Sequence, residues 1–170
     1  MRGLLIGRYQ PFHRGHLEVL IQTIGQVDEL IIGIGSAQES HTEENPFTAG
    51  ERIEMIRLCL DREQRANTLI IPIPDINRYA IWVSHIESLV PPFEVVFTNN
   101  PLTKSLFEEW EYKVLPTPMF DRERYSGREI RERMMNDAPW EDLVPEQMVD
   151  FLRSIDGKSR ISANIETDEE

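Results

Sequence analysis

The first strand, loop and helix of this chain constrain its fold more than any other stretch. Leu4–Ile6 is a short apolar run typical of a buried strand, and the apolar spacing within residues 17–24 predicts a helix soon afterwards. The segment GRYQPFHRGH, Gly7–His16, connects the two. A strand, a loop and a helix in that order bring the helix N-terminus to the carboxyl edge of a sheet. Its free N–H groups and its dipole favour an anion at that edge.

The side chains of this connecting loop suit a phosphate ligand. Gly15 has no Cβ, so we expect it to let the backbone come close to a ligand. His13 and His16 are three residues apart and share one face of the first helical turn, and Arg8 adds a guanidinium. Taken singly these features are common, and a His-x-x-His pair is more often a surface pair or an incidental metal site. Together in a strand–loop–helix context they predict a phosphate site.

Strand-like and helical patterns alternate along most of the chain. This alternation predicts an α/β fold, a doubly wound parallel sheet with helices on both faces, followed by C-terminal helices. In such sheets ligands bind beyond the carboxyl ends of the strands, where the strand order reverses. The predicted strands are 4–6, 30–34, 69–73, 95–97 and 112–115, and the predicted helices are 16–26, 49–61, 79–90, 101–110, 127–136 and 146–155.

Length and composition restrict the function classes. We expect one domain over residues 1–157 and a flexible acidic tail over 158–170, in a chain of 170 residues. The net charge of −12 disfavours nucleic-acid and anionic-membrane partners, and no apolar run is long enough to span a membrane. With Cys59 as the single cysteine, no disulfide can form within the chain. We expect a cytoplasmic protein.

The loops after the later strands hold further candidate residues. Ser36 and Gln38 follow the second strand and could offer a hydroxyl and an amide to a ligand, although an ordinary polar loop looks the same. Trp82 begins a predicted helix and is either a core residue or a stacking partner for a planar ring. After the fourth strand, Asn99 and Asn100 form a tight turn that could hold adenine or ribose, or simply connect strand to helix. We interpret His41 as a surface residue and His85 as structural.

A second anion site is predicted at residues 125–134, YSGREIRERM. Ser126 caps a helix, and Gly127 lets the backbone come close to a ligand. Arg131 lies one turn into the helix and faces its N-terminal end. Ser126 and Glu129, like Thr48 and Glu51, have the spacing of a capping box. We expect one helix N-terminus to hold the phosphoryl group under attack and the other to hold the departing pyrophosphate.

Five segments in chain order resemble the archaeal-type nicotinamide-nucleotide adenylyltransferase family. They are GRYQPFHRGH, SAQESHTEENPFTAGER, DINRYAIWVSH, NNPL and YSGREIR, and the resemblance as a whole extends from residue 3 to about 155. The resemblance implies a Rossmann-like nucleotidyltransferase fold, transfer of AMP from ATP to nicotinamide mononucleotide (NMN), and release of NAD and pyrophosphate. It also implies Mg²⁺ or another divalent cation bound through the ATP phosphates, and a homo-oligomer, specifically a hexamer.

The resemblance also assigns roles to individual residues. The catalytic contacts to the triphosphate fall to His13, His16 and Arg131. No protein residue is assigned as a metal ligand. The remaining assignments are Gly7, Arg8, Gln10, Phe12, Gly15, Asn99, Asn100, Ser126 and Gly127 for ATP and its phosphates, and Ser36, Gln38, Asp75, Ile76 and Trp82 for NMN.

Three positions depart from the family pattern. Asn99 stands where relatives often have glycine, Glu44 where they have a basic residue, and Tyr79 where asparagine is expected. Two alternatives to the NMN reaction stay open at this point. One is another adenylyl- or cytidylyltransferase, with flavin mononucleotide or phosphopantetheine as acceptor, and the other is a non-catalytic nucleotide sensor.

Overall fold

A parallel sheet of five strands is the centre of the fold. The computed structural model describes residues 1–162. The strands are β1 (Arg2–Gly7), β2 (Glu29–Ile34), β3 (Thr68–Pro72), β4 (Val95–Phe97) and β5 (Lys113–Leu115), in the spatial order β3-β2-β1-β4-β5. All neighbouring strands are parallel. Strands β2 and β3 lie on one side of β1, and β4 and β5 lie on its other side. The strand order therefore reverses between β1 and β4.

Eight α-helices connect or follow these strands in the described part of the chain. The predicted α/β fold is confirmed, and the predicted strands differ from the observed ones by at most two residues at an end. The helices are α1 (Arg14–Ile24), α2 (Ala49–Cys59), α3 (Arg62–Ala66), α4 (Trp82–Leu89), α5 (Pro101–Glu109), α6 (Gly127–Met135), α7 (Glu146–Ser154) and α8 (Gly157–Ser162). The segment Tyr79–Ile81 forms a 3₁₀ turn before α4.

The helices cover both faces of the sheet, and side chains along each strand alternate between two cores. Leu5 and Ile32 pack on the face covered by α1, α2, α6 and α7, whereas Leu4 and Ile31 pack on the face covered by α4 and α5. Burial on both faces explains why these strands are continuous apolar runs rather than alternating ones.

Capping decides where several helices begin. The predicted capping box of Thr48 and Glu51 is present in both directions. At α6 only half of the predicted box forms, because Ser126 caps the Glu129 N–H while the Glu129 carboxylate accepts from Arg133 at 2.7 Å. Helix α3 was not predicted. Leu60 is extended and ends α2, and Asp61 then caps a new helix.

The C-terminal end of the described chain is a packed helix. We expected a flexible acidic tail over residues 158–170, and residues up to Ser162 form a helix. Gly157 and Ile161 are buried, and the Arg160 guanidinium binds the Glu51 carboxylate at 2.8 and 3.0 Å. Residues 163–170, which include the acidic end, lie outside the described residues. Within residues 1–162, no helix combines the length and the apolar composition needed to cross a membrane.

Candidate active site

A large cavity lies where the strand order reverses. It has a volume of about 470 Å³ and is lined by the ends of β1 and β4. The N-termini of two helices also line it: His13, Gly15 and His16 at α1, and Ser126 and Gly127 at α6. The two predicted anion sites therefore face one cavity, at the place where doubly wound sheets bind their ligands.

His13 and His16 cap the start of α1 for each other. The Nδ1 atom of His13 accepts from the His16 backbone N–H, and the Nδ1 atom of His16 accepts from the His13 backbone N–H, both at 3.3 Å. The two rings stack with their centroids 3.5 Å apart. Because each Nδ1 is an acceptor, each neutral ring carries its proton on Nε2. The pair thus offers two N–H donors that need no positive charge.

Enclosure keeps both imidazoles neutral. Burial lowers the pKa of His13 to about 4. Burial also lowers the pKa of His16 well below its ordinary value, and the neighbouring His13 adds to this effect. Protonation of either Nδ1 would replace an acceptor by a donor opposite a backbone N–H, so the hydrogen-bond geometry favours the same neutral state.

Gly15 and Gly7 are required by packing inside the loop. A Cβ on Gly15 would lie 3.0 Å from the Tyr125 Cβ and 3.1 Å from the His13 Nδ1. A Cβ on Gly7 would lie 2.7 Å from the Tyr9 ring. Glycine at these positions lets the loop fold tightly onto its own side chains. The backbone of Gly15 thus packs closely against the side chains of His13 and Tyr125.

Arg131 does not itself line the cavity, but its guanidinium lies next to Gly127, which does. Its Nη1 donates to the Gln10 carbonyl oxygen at 2.7 Å, and a Cβ on Gly127 would collide with both groups. Burial lowers the pKa of Arg131, and the charge of Arg8 lowers it further. The Arg131 guanidinium has further N–H groups besides the one bound to Gln10, and it lies beside the N-terminus of α6 and near the charge of Arg8. This is an environment that favours a polyanion.

Two residues that the resemblance assigned to ATP make contacts within the scaffold. The Gln10 side chain pairs with the Phe47 backbone in both directions, at 2.9 Å each. Phe12 is completely buried in the core. Neither side chain lines the cavity. The assignment of these two residues to ATP binding stays a prediction, to which these side-chain contacts add no support.

The turn after β4 is fixed by its own side chains. The Asn99 amide donates to the Thr117 carbonyl and hydroxyl at 2.8 Å and accepts from the Thr117 N–H at 3.0 Å. Asn100 caps α5 through the Thr103 N–H. Neither asparagine has a positive φ. Both residues line the large cavity as expected, and asparagine in place of glycine causes no backbone strain there.

A smaller cavity lies on the other side of the β1 end. It measures about 180 Å³ and is lined by Arg8, Gly35, Trp82, Thr98 and Asn100, among others. Trp82 begins α4, is partly buried, and packs edge-on against Phe107 with ring centroids 5.6 Å apart. The Trp82 ring therefore packs against the core and also borders a cavity, so a core role and a stacking role are compatible.

The other residues assigned to NMN line neither of these cavities. The Gln38 amide donates to the Asp75 carboxylate at 3.2 Å and accepts from the Asp75 N–H at 2.8 Å. Ser36 has a φ of 47°, and Ile76 is partly buried. This arrangement brings the loops after β2 and β3 together.

Glu44 and Tyr79, two of the positions that depart from the family pattern, are exposed. His41 is also exposed, whereas the His85 Nε2 lies 2.7 Å from the Pro74 carbonyl.

Two arginines that the sequence did not single out are part of this region. Arg52 is completely buried in α2 and binds carbonyls of the loops that flank the cavities. Arg122 lines the large cavity from the segment before α6. The sequence could have drawn attention to Arg52, because it directly follows the capping box of Thr48 and Glu51. It could have drawn attention to Arg122, because Arg122 lies close to the second predicted anion site.

Two helix N-termini that face one crevice, with histidine and arginine donors, define a nucleotide-handling enzyme of the nucleotidyltransferase class. Residues 4–133 match the cytidylyltransferase-like family. Nicotinamide-nucleotide adenylyltransferases of Thermoplasma acidophilum and Pyrococcus furiosus are 50% and 51% identical, over 99% of this chain and 94% and 93% of their own lengths. That of Halorubrum lacusprofundi is 47% identical over 99% of this chain and 95% of its own length. The chain belongs to the cytidylyltransferase-like family and, within it, to the nicotinamide-nucleotide adenylyltransferases.

Solved structures share the fold at low sequence identity. A bifunctional NMN adenylyltransferase/ADP-ribose pyrophosphatase from Francisella tularensis, complexed with AMP and a manganese ion, superimposes with a TM-score of 0.77 at 18% identity. The match covers 99% of this chain and 52% of that one. Nicotinic acid mononucleotide adenylyltransferase from Plasmodium falciparum gives a TM-score of 0.57 at 9% identity, covering 93% of this chain and 96% of that one.

Proposed function

We propose that this enzyme transfers AMP from ATP to NMN by direct in-line displacement. An oxygen of the NMN phosphate attacks the α-phosphorus of ATP and forms a new P–O bond. The bond from the α-phosphorus to the bridging oxygen breaks, and pyrophosphate leaves with that electron pair. The observation that carries the proposal is the convergence of two helix N-termini on one crevice, in a chain about half identical to enzymes named for this reaction.

The attacking group needs no protein base. A phosphate monoester is already ionised at neutral pH, so the protein has to align two phosphates and stabilise the charge that develops between them. Neutral Nε2–H donors of His13 and His16 suit this task because their orientation is fixed before substrate arrives. Donors that do not reorganise during the reaction are the most effective ones.

We assign Arg131 to the leaving group. Its Nη1 is anchored on the Gln10 carbonyl, and the α6 N-terminus capped by Ser126 adds backbone N–H groups on the same side. We assign the β- and γ-phosphates to this end and the α-phosphate to the histidines. The adenosine then occupies the remainder of the large cavity, beside Asn99 and Asn100.

The smaller cavity is our candidate for the acceptor. Its Arg8 suits a phosphate and the Trp82 ring suits a pyridine. Both cavities share Gly7 and Thr98, so groups bound in them meet at the end of β1. Ser36, Gln38, Asp75 and Ile76 are assigned to the rim of this site, where they shape the loops around the acceptor.

A divalent cation, Mg²⁺ by preference, would enter with the triphosphate. Within residues 1–162, no three His, Cys, Asp or Glu side chains group as a metal site, and the donors around the large cavity suit phosphate oxygens rather than a cation. The cation would neutralise phosphate charge when bound to ATP. A manganese ion is present with AMP in the Francisella tularensis structure, which supports a divalent cation in this reaction.

We further propose a cytoplasmic homo-oligomer, a hexamer by family likeness. Exposed large hydrophobic side chains on the helix surfaces, including Ile21, Leu102 and Trp110, support association. The dependence on ATP and the single cysteine support the location. Light scattering after gel filtration measures the assembly, and a monomer at micromolar concentration would contradict it.

The deciding experiment is a pyrophosphate-release assay with ATP and a panel of acceptors. NMN should be turned over with stoichiometric NAD formation, and nicotinate mononucleotide, flavin mononucleotide and phosphopantetheine serve as competitors. Preference for one of the last two would replace the acceptor assignment. ATP binding without turnover of any acceptor would identify a nucleotide sensor instead.

A further inference from the structure

Arg52 is a fully buried cation whose hydrogen bonds all go to backbone carbonyls. It is the largest of the completely buried side chains in the described chain. Its Nη1 donates to the carbonyls of Arg8 at 3.0 Å and Gly35 at 2.9 Å. Its Nη2 donates to Ser36 at 3.1 Å and Glu39 at 3.2 Å, and its Nε donates to Thr48 at 3.3 Å.

No carboxylate in residues 1–162 forms an ion pair with this guanidinium. Burial, and secondarily the charge of Arg8, lower the pKa of Arg52 to about 10, so the group stays charged at neutral pH. A buried cation without an ion-pair partner is costly unless dipoles solvate it. Here the loops after β1 and β2 and the cap of α2 supply those dipoles. The guanidinium therefore fixes three chain segments relative to one another.

The carbonyls that Arg52 holds determine where the following N–H groups point. In a trans peptide the C=O of one residue and the N–H of the next point in opposite directions. The carbonyls of Arg8 and Gly35 point to the guanidinium, so the N–H groups of Tyr9 and Ser36 point away from it. Among the described residues, neither N–H has a hydrogen-bond partner.

The two residues that present these N–H groups have unusual backbones. Tyr9 has a φ of 55° and Ser36 a φ of 47°, a region that residues with a Cβ rarely adopt. Such conformations persist where surrounding structure over-determines them, and they turn backbone N–H groups toward anions. In both loops, the carbonyl immediately before the left-handed residue is bound by Arg52. One side chain thus contacts the peptide that precedes each left-handed residue.

We propose that Arg52 is a positioning residue for the acceptor phosphate. It holds the Arg8–Tyr9 and Gly35–Ser36 peptides with their carbonyls inward, so that the N–H groups of Tyr9 and Ser36 are presented at the end of β1 and β2. Arg8 and Gly35 line the smaller cavity, and Tyr9 lines the larger one, so these peptides lie where the two cavities adjoin. The proposal rests on the assignment of the smaller cavity to the acceptor.

The test compares steady-state kinetics of Arg52→Lys with wild type. Lysine keeps the charge but cannot reach five carbonyls from one planar fork. We expect the KM for NMN to rise about tenfold or more and kcat to fall, while the KM for ATP stays within about threefold. Wild-type turnover of NMN is measured first, so a failure of the proposed reaction is seen there and is not confused with a failure of the Arg52 role.

Arg160→Met is the matched control. Arg160 binds the Glu51 carboxylate and the Pro46 carbonyl, so its loss loosens the far end of the same loop. We expect this variant to melt at a lower temperature, with both KM values little changed. An Arg52→Lys variant that melts normally with an unchanged KM for NMN would overturn the proposal. So would a variant in which both KM values rise together, because that result indicates a structural role only.

A measurement on the unaltered protein covers the case in which Arg52 variants do not fold. In amide-detected NMR of the wild-type chain, NMN should shift the Tyr9 and Ser36 N–H resonances downfield. Adding inorganic phosphate should shift the same two resonances in the same direction. If NMN moves neither resonance at saturation, the N–H groups do not bind the acceptor and the proposal is wrong.

Discussion

The histidine pair predicts that this protein loses stability when it is mildly acidified. The unfolded-state pKa of His13 is 6.5 and the folded-state pKa is about 4. Because the pKa is lower in the folded chain, the unfolded chain binds a proton at a higher pH than the folded chain does. Acidification therefore favours the unfolded state. The stabilisation is complete above pH 6.5 and is lost as the pH falls from 6.5 to 4.

The magnitude follows from the gap between the two pKa values. One pH unit corresponds to about 1.4 kcal/mol, so His13 alone accounts for roughly 3 kcal/mol over the whole window and roughly 2 kcal/mol between pH 7 and pH 5. This is a large share of the stability of a single domain, which is typically about 5–15 kcal/mol. His16 acts in the same direction.

His13→Asn removes the His13 contribution together with the effect of His13 on the pKa of His16. Asparagine is a good N-cap and keeps an oxygen that can accept from the His16 N–H, but it does not titrate. Urea unfolding followed by tryptophan fluorescence at pH 7, 6 and 5, at one fixed protein concentration, gives the free energy of unfolding. We expect the wild type to lose about 2 kcal/mol more than the variant between pH 7 and pH 5.

The exposed His41 provides the control, because His41→Asn removes a histidine without touching the pair. That variant should follow the wild type at every pH. Parallel curves for wild type and His13→Asn would refute the reasoning, since they would mean that the His13 ring titrates alike in the folded and unfolded chains. A variant that is already unstable at pH 7 would show only that the cap itself was lost, and His13→Ser then repeats the test.

Three further changes test the assignments around the two cavities. His16→Ala should lower kcat by roughly 10²–10³, with a much smaller loss of ATP binding in a titration; turnover within a few-fold of wild type would contradict its role. Arg131→Lys keeps the charge but loses the planar fork, so kcat/KM for ATP should fall by about tenfold or more, and near-normal kinetics would mean that only charge matters. Trp82→Ala should raise the KM for NMN about 5- to 150-fold with little change for ATP; a well-folded variant with an unchanged acceptor KM would make Trp82 a core residue only.

Local sequence patterns decided most of the elements of the fold. The apolar runs around Leu4 and Ile31 predict strands buried on both faces, and hydroxyl and carboxylate spacing locates the starts of α2 and α6. These signals are reliable because capping and burial act within a few residues or on a whole strand. The two candidate phosphate sites could be proposed from the sequence for the same reason, since each is a loop joined to a helix N-terminus.

The sequence did not reveal contacts that depend on a distant partner. The sequence around Gln10 resembles a ligand-binding loop, but its amide is paired with Phe47, 37 positions away. The segment after Gly157 looks like a mobile tail, but Arg160 reaches Glu51 across 109 positions. Neither contact leaves a periodic pattern, because a single long-range hydrogen bond requires no repeat in the chain.

The sequence by itself determined the α/β fold, the two helix N-termini and the histidine and arginine donors. Only the tertiary structure decided that the two N-termini share one crevice, that His13 and His16 lock each other's Nδ1 atoms, and that Arg52 is buried beneath the loops. The physical reason is that strand order and loop packing are set by the burial of both sheet faces at once. A residue such as Arg52 acquires its role from carbonyls that meet only after the chain has folded.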